Sequence, residues 1–217
     1  DLNLSKIEKV FTVDSSILKA TTIDENRPMK SADRKTESDI LEIFVRINTE
    51  GVNLHRSDLI FSMLKLNWRE SAETLPEFID KINNSNSLNF DVDFVIRCLL
   101  AVSDLGTRFD INILRKKENV EKLKENFKNC CESIESTIDF VINHCWCMSS
   151  KVIGGNVNLV PFVYYSYHTK YHQFPIKHIN ILRKIFFLFA FLTPFQRYAD
   201  SRLSSLIKYT LKDFDKY

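Results

Sequence analysis

The sequence predicts a mainly α fold, a bundle of roughly seven to eight helices. Glycine and proline, four and five residues among 217, leave little material for the turns of β-hairpins. From residue 36 onward, apolar residues recur at steps of three and four, which is the spacing of amphipathic helices. A hydrophobic fraction of 44%, with seventeen phenylalanines, is enough to fill the interior of such a bundle.

The first two regular helices are predicted on either side of a glycine. The residues before Thr36 are the least regular part of the chain, and a sharp helix start follows at Thr36. Gly51 ends this helix as a left-handed C-cap, and the next helix begins near His55. The predicted organisation is an irregular segment at 1–35, a helix–turn–helix segment at 36–66 and a helical bundle domain at 67–217.

The middle of the chain carries three predicted helices. The first contains the apolar stripe from Leu75 to Ile82 and stops at a polar run. Asp91 caps the second, which is strongly apolar and runs to about Asp104. The third and longest has charged residues on one face and this apolar stripe on the other: Val120, Leu123, Phe127, Cys130, Ile134, Ile138, Val141 and Cys145.

Prolines mark the helices of the last third. After a predicted loop at 149–158, Pro161 opens an aromatic helix. Pro175 opens another, which Pro194 terminates. The run from Ile185 to Leu192 is apolar almost all round, so it predicts a central, buried helix, and it is too short to span a bilayer. A final amphipathic helix is predicted over about 201–211.

The charge is unevenly distributed along the chain. Residues 151–217 hold ten Lys or Arg and three Asp, a balance of 10 − 3 = +7, whereas the whole chain is +2 and residues 1–150 are therefore 2 − 7 = −5. A one-sided basic segment can face phosphates, and a solvated lysine-rich surface is the alternative. The candidate DNA-contacting residues are Lys177, Arg183, Lys184, Arg197, Arg202 and Lys208.

Cysteines and histidines predict no metal site. The five cysteines are odd in number and lie in helical segments, which is typical of reduced core thiols in a cytoplasm. His168 and His172 are spaced to offer two ligands, but no carboxylate lies within their predicted helix, and aromatic packing or a partner surface is the favoured alternative. No signal peptide is visible, and the start at Asp1 without methionine suggests a fragment or a processed form.

Polar residues crowd the predicted turn between Ile43 and Lys65. Arg46 can pair with a carboxylate or phosphate, and Asn48 can donate and accept at once, as recognition of a base or ribose requires. Gly51 permits close backbone approach. The alternative is that three polar residues only hold the tight turn together, namely Asn48, Thr49 and Asp58.

This turn resembles a segment of the GmrSD-type restriction-protein family, whose N-terminal domain is ParB/sulfiredoxin-like. The stretch Phe-Val-Arg-Ile-Asn-Thr-Glu-Gly-Val-Asn-Leu, followed by Ser-Asp-Leu, carries the likeness. It matches the family's Phe-x-x-x-Asn motif on Phe44 and Asn48, its glycine on Gly51 and its Asp-Leu on Asp58 and Leu59. Three weaker segments follow in the family's order: Phe94–Arg97, Leu159–Phe162 and Arg197–Ser201.

The resemblance implies a bacterial or archaeal cytoplasmic protein that takes part in phage defence. Such a protein has a small mixed α/β domain before its helical domain, and residues 1–35 would be the end of that α/β domain. Family members bind and hydrolyse nucleotides and attack modified foreign DNA, often with an HNH-type nuclease domain. The implied nucleotide or DNA site would use Phe44, Arg46, Asn48, Thr49, Gly51 and Asp58.

One departure from the family decides what this chain is expected to do alone. The family's Asp-Gly-Gln-Gln-Arg loop is absent, because the two glutamines, Gln173 and Gln196, each lack a glutamine neighbour. We therefore expect no catalytic residue and no cofactor in this chain. The full-length parent would be an NTPase or endonuclease component using a nucleotide triphosphate with Mg. The expected partners are DNA, the missing ParB-like domain and possible HNH domain, and no membrane. The alternative is a helical protein–protein interaction module with no nucleotide role.

Overall fold

A computed structural model describes residues 56–114 and 116–211 of the chain. The chain divides into two compact units, Asp1–Asn53 and Leu54–Tyr217, and the described residues belong to the second. All regular elements in these described residues are helices, which confirms the predicted mainly α class. The predicted segment at 1–35 lies outside the described residues, as do five candidate site residues: Phe44, Arg46, Asn48, Thr49 and Gly51.

The helical elements follow one another with short connections. The α-helices are α1 Arg56–Asn67, α2 Ser71–Asn84, α3 Val92–Val102, α4 Ile111–Leu114, α5 Lys117–Asp139, α6 Ser150–Ile153, α7 Val160–Tyr167, α8 Ile179–Leu192 and α9 Ala199–Leu206. Turns of π-helix continue α5 and α9, at Phe140–His144 and Ile207–Leu211. Turns of 3-10 helix occupy Asn156–Leu159, Lys170–His172 and Ile176–His178.

Local signals in the sequence place several of the helix ends. The Asp91 side chain caps α3 by accepting a hydrogen bond from the Phe94 backbone nitrogen, at 3.0 Å. Pro161 lies in the first turn of α7, where its missing N–H costs no helical hydrogen bond. Thr193 closes α8 in the left-handed conformation, with φ of 42°, directly before Pro194. These three predicted boundaries are confirmed.

The core lies where α3, α5 and α7 pack on one another. Helix α7 is buried continuously from Val160 to Ser166, so it is the central helix. The predicted stripe of α5 faces it, and Leu123, Cys130 and Ile134 are fully buried. Burial of such apolar side chains is the main stabilising term of the bundle.

The predicted loop at 149–158 is more regular than its glycines suggested. It contains α6 and a 3-10 turn, with Gly154 between them at a φ of 73°. A side chain at Gly154 would lie 3.1 Å from the Ala190 carbonyl oxygen, so glycine is required by close approach to α8. The buried Asn158 amide reinforces this contact by donating to the Phe189 carbonyl, at 3.3 Å.

The prediction that α8 is central is wrong. Its inner side chains Leu182 and Phe186 are buried, but Leu188, Phe191 and Leu192 are 54%, 82% and 71% exposed. The bundle core is already filled by other helices, and α8 covers it from one side. An apolar composition all round a helix therefore did not mean that neighbours cover it all round.

No helix among the described residues combines the length and the apolar character that crossing a membrane would require.

Candidate functional site

A cleft of about 720 Å³ lies beside α9 and the π-helical turn that follows it. Its walls combine two cations, two tyrosines and three serines. The lining residues are Arg108, Tyr198, Ala199, Asp200, Ser201, Ser204, Ser205, Lys208 and Tyr209. Helix periodicity explains why the three serines and Lys208 share one wall, because their spacing of 0, 3, 4 and 7 places them on one side of a helix.

An ion pair fixes the start of α9 to α3. The Arg97 guanidinium pairs with the Asp200 carboxylate and also donates to the Thr107 carbonyl oxygen, at 2.8 Å. Its central carbon lies 4.6 Å from the centroid of the Phe109 ring, which covers the cation. The side chain of Arg97 is 16% exposed and that of Asp200 is 36% exposed, so the pair is partly shielded from water. The charge of Asp200, which lines the cleft, is balanced by that of Arg97.

Thr107 completes this fixed point. Its side chain is fully buried, and its hydroxyl donates to the Asp200 carbonyl oxygen at 3.0 Å. The same hydroxyl lies 2.9 Å from the Ser204 hydroxyl, one turn further along α9. Two separate parts of α9 are thus held by one residue. Arg108, the next residue, is carried to the edge of the cleft by this anchor.

The cleft presents groups that suit a phosphate-bearing ligand with aromatic bases. Tyr198 and Tyr209 are 79% and 70% exposed, so much of each side chain is open to solvent. The Lys208 ammonium lies 5.1 Å from the centroid of the Tyr209 ring. Arg108 and Lys208 can donate to phosphate oxygens. The hydroxyls of Ser201 and Ser205 can donate alongside them, whereas that of Ser204 donates to Thr107. Cations interleaved with exposed aromatic rings are the pattern of single-stranded nucleic-acid sites.

The six predicted basic residues fall into two groups along the chain, and Lys208 is the one that lines the cleft. Arg197 is exposed just before α9. Arg202 is also exposed and donates to the Pro194 carbonyl oxygen at 2.6 Å. It follows Ser201 by one residue, so it points about 100° away from the serine wall.

The other group lies at the start of α8. Lys177 and Lys184 are exposed, and Arg183 is half-buried. The Arg183 guanidinium lies 5.1 Å from the Trp146 ring centroid and donates to the Asn180 side-chain oxygen at 3.3 Å. These residues do not line the cleft. Asp58, the remaining candidate, lies in the first turn of α1, and its side chain is outside the described set.

Arg108 and Tyr209 line the cleft but are not among the site residues predicted from the sequence. Neither belongs to a motif, and they lie about a hundred positions apart in the chain. One signal was present, however. Two of the weak segments in the resemblance contain the partners of the Arg97–Asp200 ion pair: Phe94–Arg97 ends with Arg97, and Arg197–Ser201 contains Asp200. Their order in the sequence did not show that they meet.

The histidines and cysteines have structural surroundings. The His168 and His172 rings pack on Tyr164 and Tyr167, with centroid distances of 4.5 and 5.4 Å. Residues 56–114 and 116–211 contain no group of three or more His, Cys, Asp or Glu side chains that could hold a metal ion. Burial raises the pKa of the Cys145 thiol to about 12, so this thiol stays protonated and unreactive at neutral pH.

Comparison with known proteins gives no family for this chain: no family model matches it, and no curated protein matches it significantly. The fold and the site therefore define its class. It is a helical bundle with a cleft that is basic, rich in hydroxyl groups and edged by two exposed tyrosines.

Proposed function

We propose that this chain is the helical part of a restriction-type bacterial defence protein similar to the GmrSD family, and that the α9 cleft contacts DNA. The observation that carries the DNA contact is the joint presence of Arg108, Lys208 and two exposed tyrosines around one cleft. The family assignment rests on the Phe-x-x-x-Asn segment.

The preferred ligand is DNA with unpaired bases. In a duplex the bases are stacked on each other, and the exposed rings of Tyr198 and Tyr209 would have nothing to stack on. In a single strand, each ring can stack on a base while Arg108 and Lys208 neutralise phosphates. The contact is therefore expected to tolerate many sequences, since every base has a face that can stack.

A nucleotide site at the predicted turn is the second part of this proposal. Its candidate residues Phe44 and Asn48 lie outside the described residues, so the proposal rests on the resemblance alone. Titration of the chain with a nucleotide triphosphate and Mg, in the native form and in Asn48→Ala, tests it. Weaker binding in the variant would support a role for Asn48, whereas absent binding in both forms would reduce the turn to a scaffold.

Fluorescence anisotropy with a labelled single-stranded oligonucleotide tests the cleft. Arg108→Ala and Lys208→Ala should each weaken binding. Each should also make the negative slope of log K against log salt less steep by about 0.7, the value for one phosphate contact on a single strand. Tyr209→Ser should weaken the free energy of DNA binding by roughly 1–3 kcal/mol, the usual contribution of one stacked base. Lys122→Ala, which removes an exposed lysine of α5, is the matched control and should leave binding unchanged.

Two results would contradict the DNA contact. The first is unchanged binding in the double variant Arg108→Ala/Lys208→Ala. The second is equal losses in Lys208→Ala and in Lys122→Ala, because a general effect of net charge would then explain the binding without the cleft.

A further inference from the structure

An acid-free stretch of sequence carries most of the exposed apolar surface. Residues 140–199 contain no Asp or Glu, and they contain six cations, namely Lys151, Lys170, Lys177, Arg183, Lys184 and Arg197. Eleven large apolar side chains are exposed in the described part of the chain, and ten of them lie in this stretch. Apolar exposure and missing negative charge therefore coincide.

The centre of this surface is the side of α8 that faces away from the core. We call it the α8 outer face and define it by Ile181, Lys184, Leu188, Phe191 and Leu192, all of which are exposed. These positions recur at helical spacing and form one stripe, roughly 16 Å long at about 1.5 Å per residue. Lys184 lies within the stripe, between Ile181 and Leu188.

Three more apolar side chains are exposed in the chain before α8. Trp146, Met148 and Val152 are 70%, 64% and 50% exposed. The Trp146 ring lies under the Arg183 guanidinium, and the chain approaches Ala190 at Gly154. Arg183 and Ala190 lie well over 100° around α8 from the stripe, so these residues are not part of the α8 outer face.

We propose that the α8 outer face binds an acidic amphipathic helix of a partner protein. A helix that lies along α8 can bury its own apolar stripe against Leu188 and Phe191, as helices do when they pair. Its carboxylates would then meet Lys184, which lies within the stripe. Charge complementarity of this kind speeds encounter and selects the partner.

The position of Lys184 argues against two other occupants. In contact with a lipid bilayer, Lys184 would have to extend away from Ile181 and Leu188 to reach the head groups, whereas a carboxylate of a partner helix can meet it within the stripe. A second copy of this chain would bring the same cations together, and residues 140–199 offer no carboxylate to offset them. A second cleft is lined by Glu135 and Asp139 of α5 and by Ile179 of α8. Ile179 is nine residues from Leu188 and therefore on the opposite side of α8.

A designed peptide provides the probe. It is a capped helix about five turns long, with Leu on one stripe and Glu at the other positions, and its control carries Lys in place of every Glu. Binding is measured by anisotropy of the labelled peptide, without nucleic acid. We expect the acidic peptide to bind and the basic one not to bind. Phe191→Ser and Leu188→Ser should each weaken binding roughly tenfold or more, while Phe191→Leu should bind nearly as the native chain does.

Lys184→Glu is the decisive variant, and Lys122→Glu on α5 is its control with the same change of charge. The proposal requires a loss in the first and little change in the second. Equal losses would overturn the proposal, since net charge alone would then govern binding.

Two other results would also overturn the proposal. The first is that the native chain binds anionic vesicles but not the peptide. The second is that the chain self-associates in sedimentation experiments and Leu188→Ser abolishes that association. Melting curves should be unchanged in these variants, because the altered side chains are exposed.

Discussion

Helices α5 and α8 both pack one side on the core, but their solvent sides differ completely. Every exposed residue of α5 is charged, with both signs mixed along the helix: Lys117, Glu118, Glu121, Lys122, Lys124, Glu125, Lys128, Glu132 and Asp139. The exposed residues of α8 are four large apolar side chains with Asn180 and Lys184. The charged solvent side of α5 is the composition that this chain uses for a surface exposed to water. The α8 outer face has a different, apolar composition, which is why we assign it to a partner.

The first prediction concerns the buried side of α8, where the largest effect is expected. Phe186 is almost fully buried, and its ring meets the edge of Phe162 in α7 at a centroid distance of 6.2 Å. Phe186→Ala should lower the free energy of unfolding by about 3–5 kcal/mol, because it removes apolar contact and leaves a cavity. Urea denaturation followed by circular dichroism measures this. A loss below about 1 kcal/mol would mean that α8 is not part of the cooperative core.

The second prediction concerns the junction of the two helices. Cys145 follows the π-helical turn that extends α5, and burial raises its pKa to about 12, although the nearby Arg183 of α8 acts to lower it. In the unfolded chain the thiol titrates near its ordinary value of 9.0. Between these values the unfolded state loses a proton that the folded state keeps, so stability falls as the pH rises.

Thermal melts between about pH 8 and about pH 10.5 measure this loss. Cys145→Ala should show a smaller decrease in Tm over this range than the native chain, because one of the titrating thiols is gone. Other buried thiols, including Cys98 and Cys130, have raised pKa values for the same reason and will keep part of the effect. An identical decrease in Cys145→Ala and the native chain would show that this thiol is open to water in the folded state.

The sequence predicted what depends on neighbouring residues in the chain. The cap at Asp91, the start at Pro161 and the stop at Pro194 are local, and each fixes a helix end wherever the helix packs. The long stripe of α5 was also predicted, because a mixed charged face leaves one choice for the buried side. Most of the bundle was therefore accessible from periodicity and end signals.

The features that the sequence did not predict depend on distant parts of the chain. Whether Leu188 is buried depends on which helices surround α8, and nothing in its own sequence distinguishes it from Leu182. The cleft requires Arg108 and Lys208 to lie on its walls together. The pairing of Arg97 with Asp200 brings these two parts of the chain together. The predicted basic residues all lie in residues 151–217, so Arg108, from the middle of the chain, is not among them.

The third prediction separates the two sides of α8 directly. Leu188→Gln should change the free energy of unfolding by less than about 0.5 kcal/mol, since the side chain is already half in water. It should also raise solubility by reducing exposed apolar area. Leu182→Gln, the same change on the buried side, is the control and should be strongly destabilising because it buries an unpaired amide. Similar losses in the two variants would show that the outer side is covered within the chain.

The smallest effect is expected on the charged side of α5. Lys81 of α2 forms an ion pair with Glu135 of α5, and this hydrogen bond raises the pKa of Lys81. Both side chains are largely in water, where an ion pair gains little over hydration. Lys81→Met should therefore leave the Tm unchanged at low and at high salt. A lower Tm at low salt that recovers at high salt would mean that charges on α5 hold the bundle together. Helices α5 and α8 would then differ in how their solvent sides contribute to stability, as well as in how water contacts them.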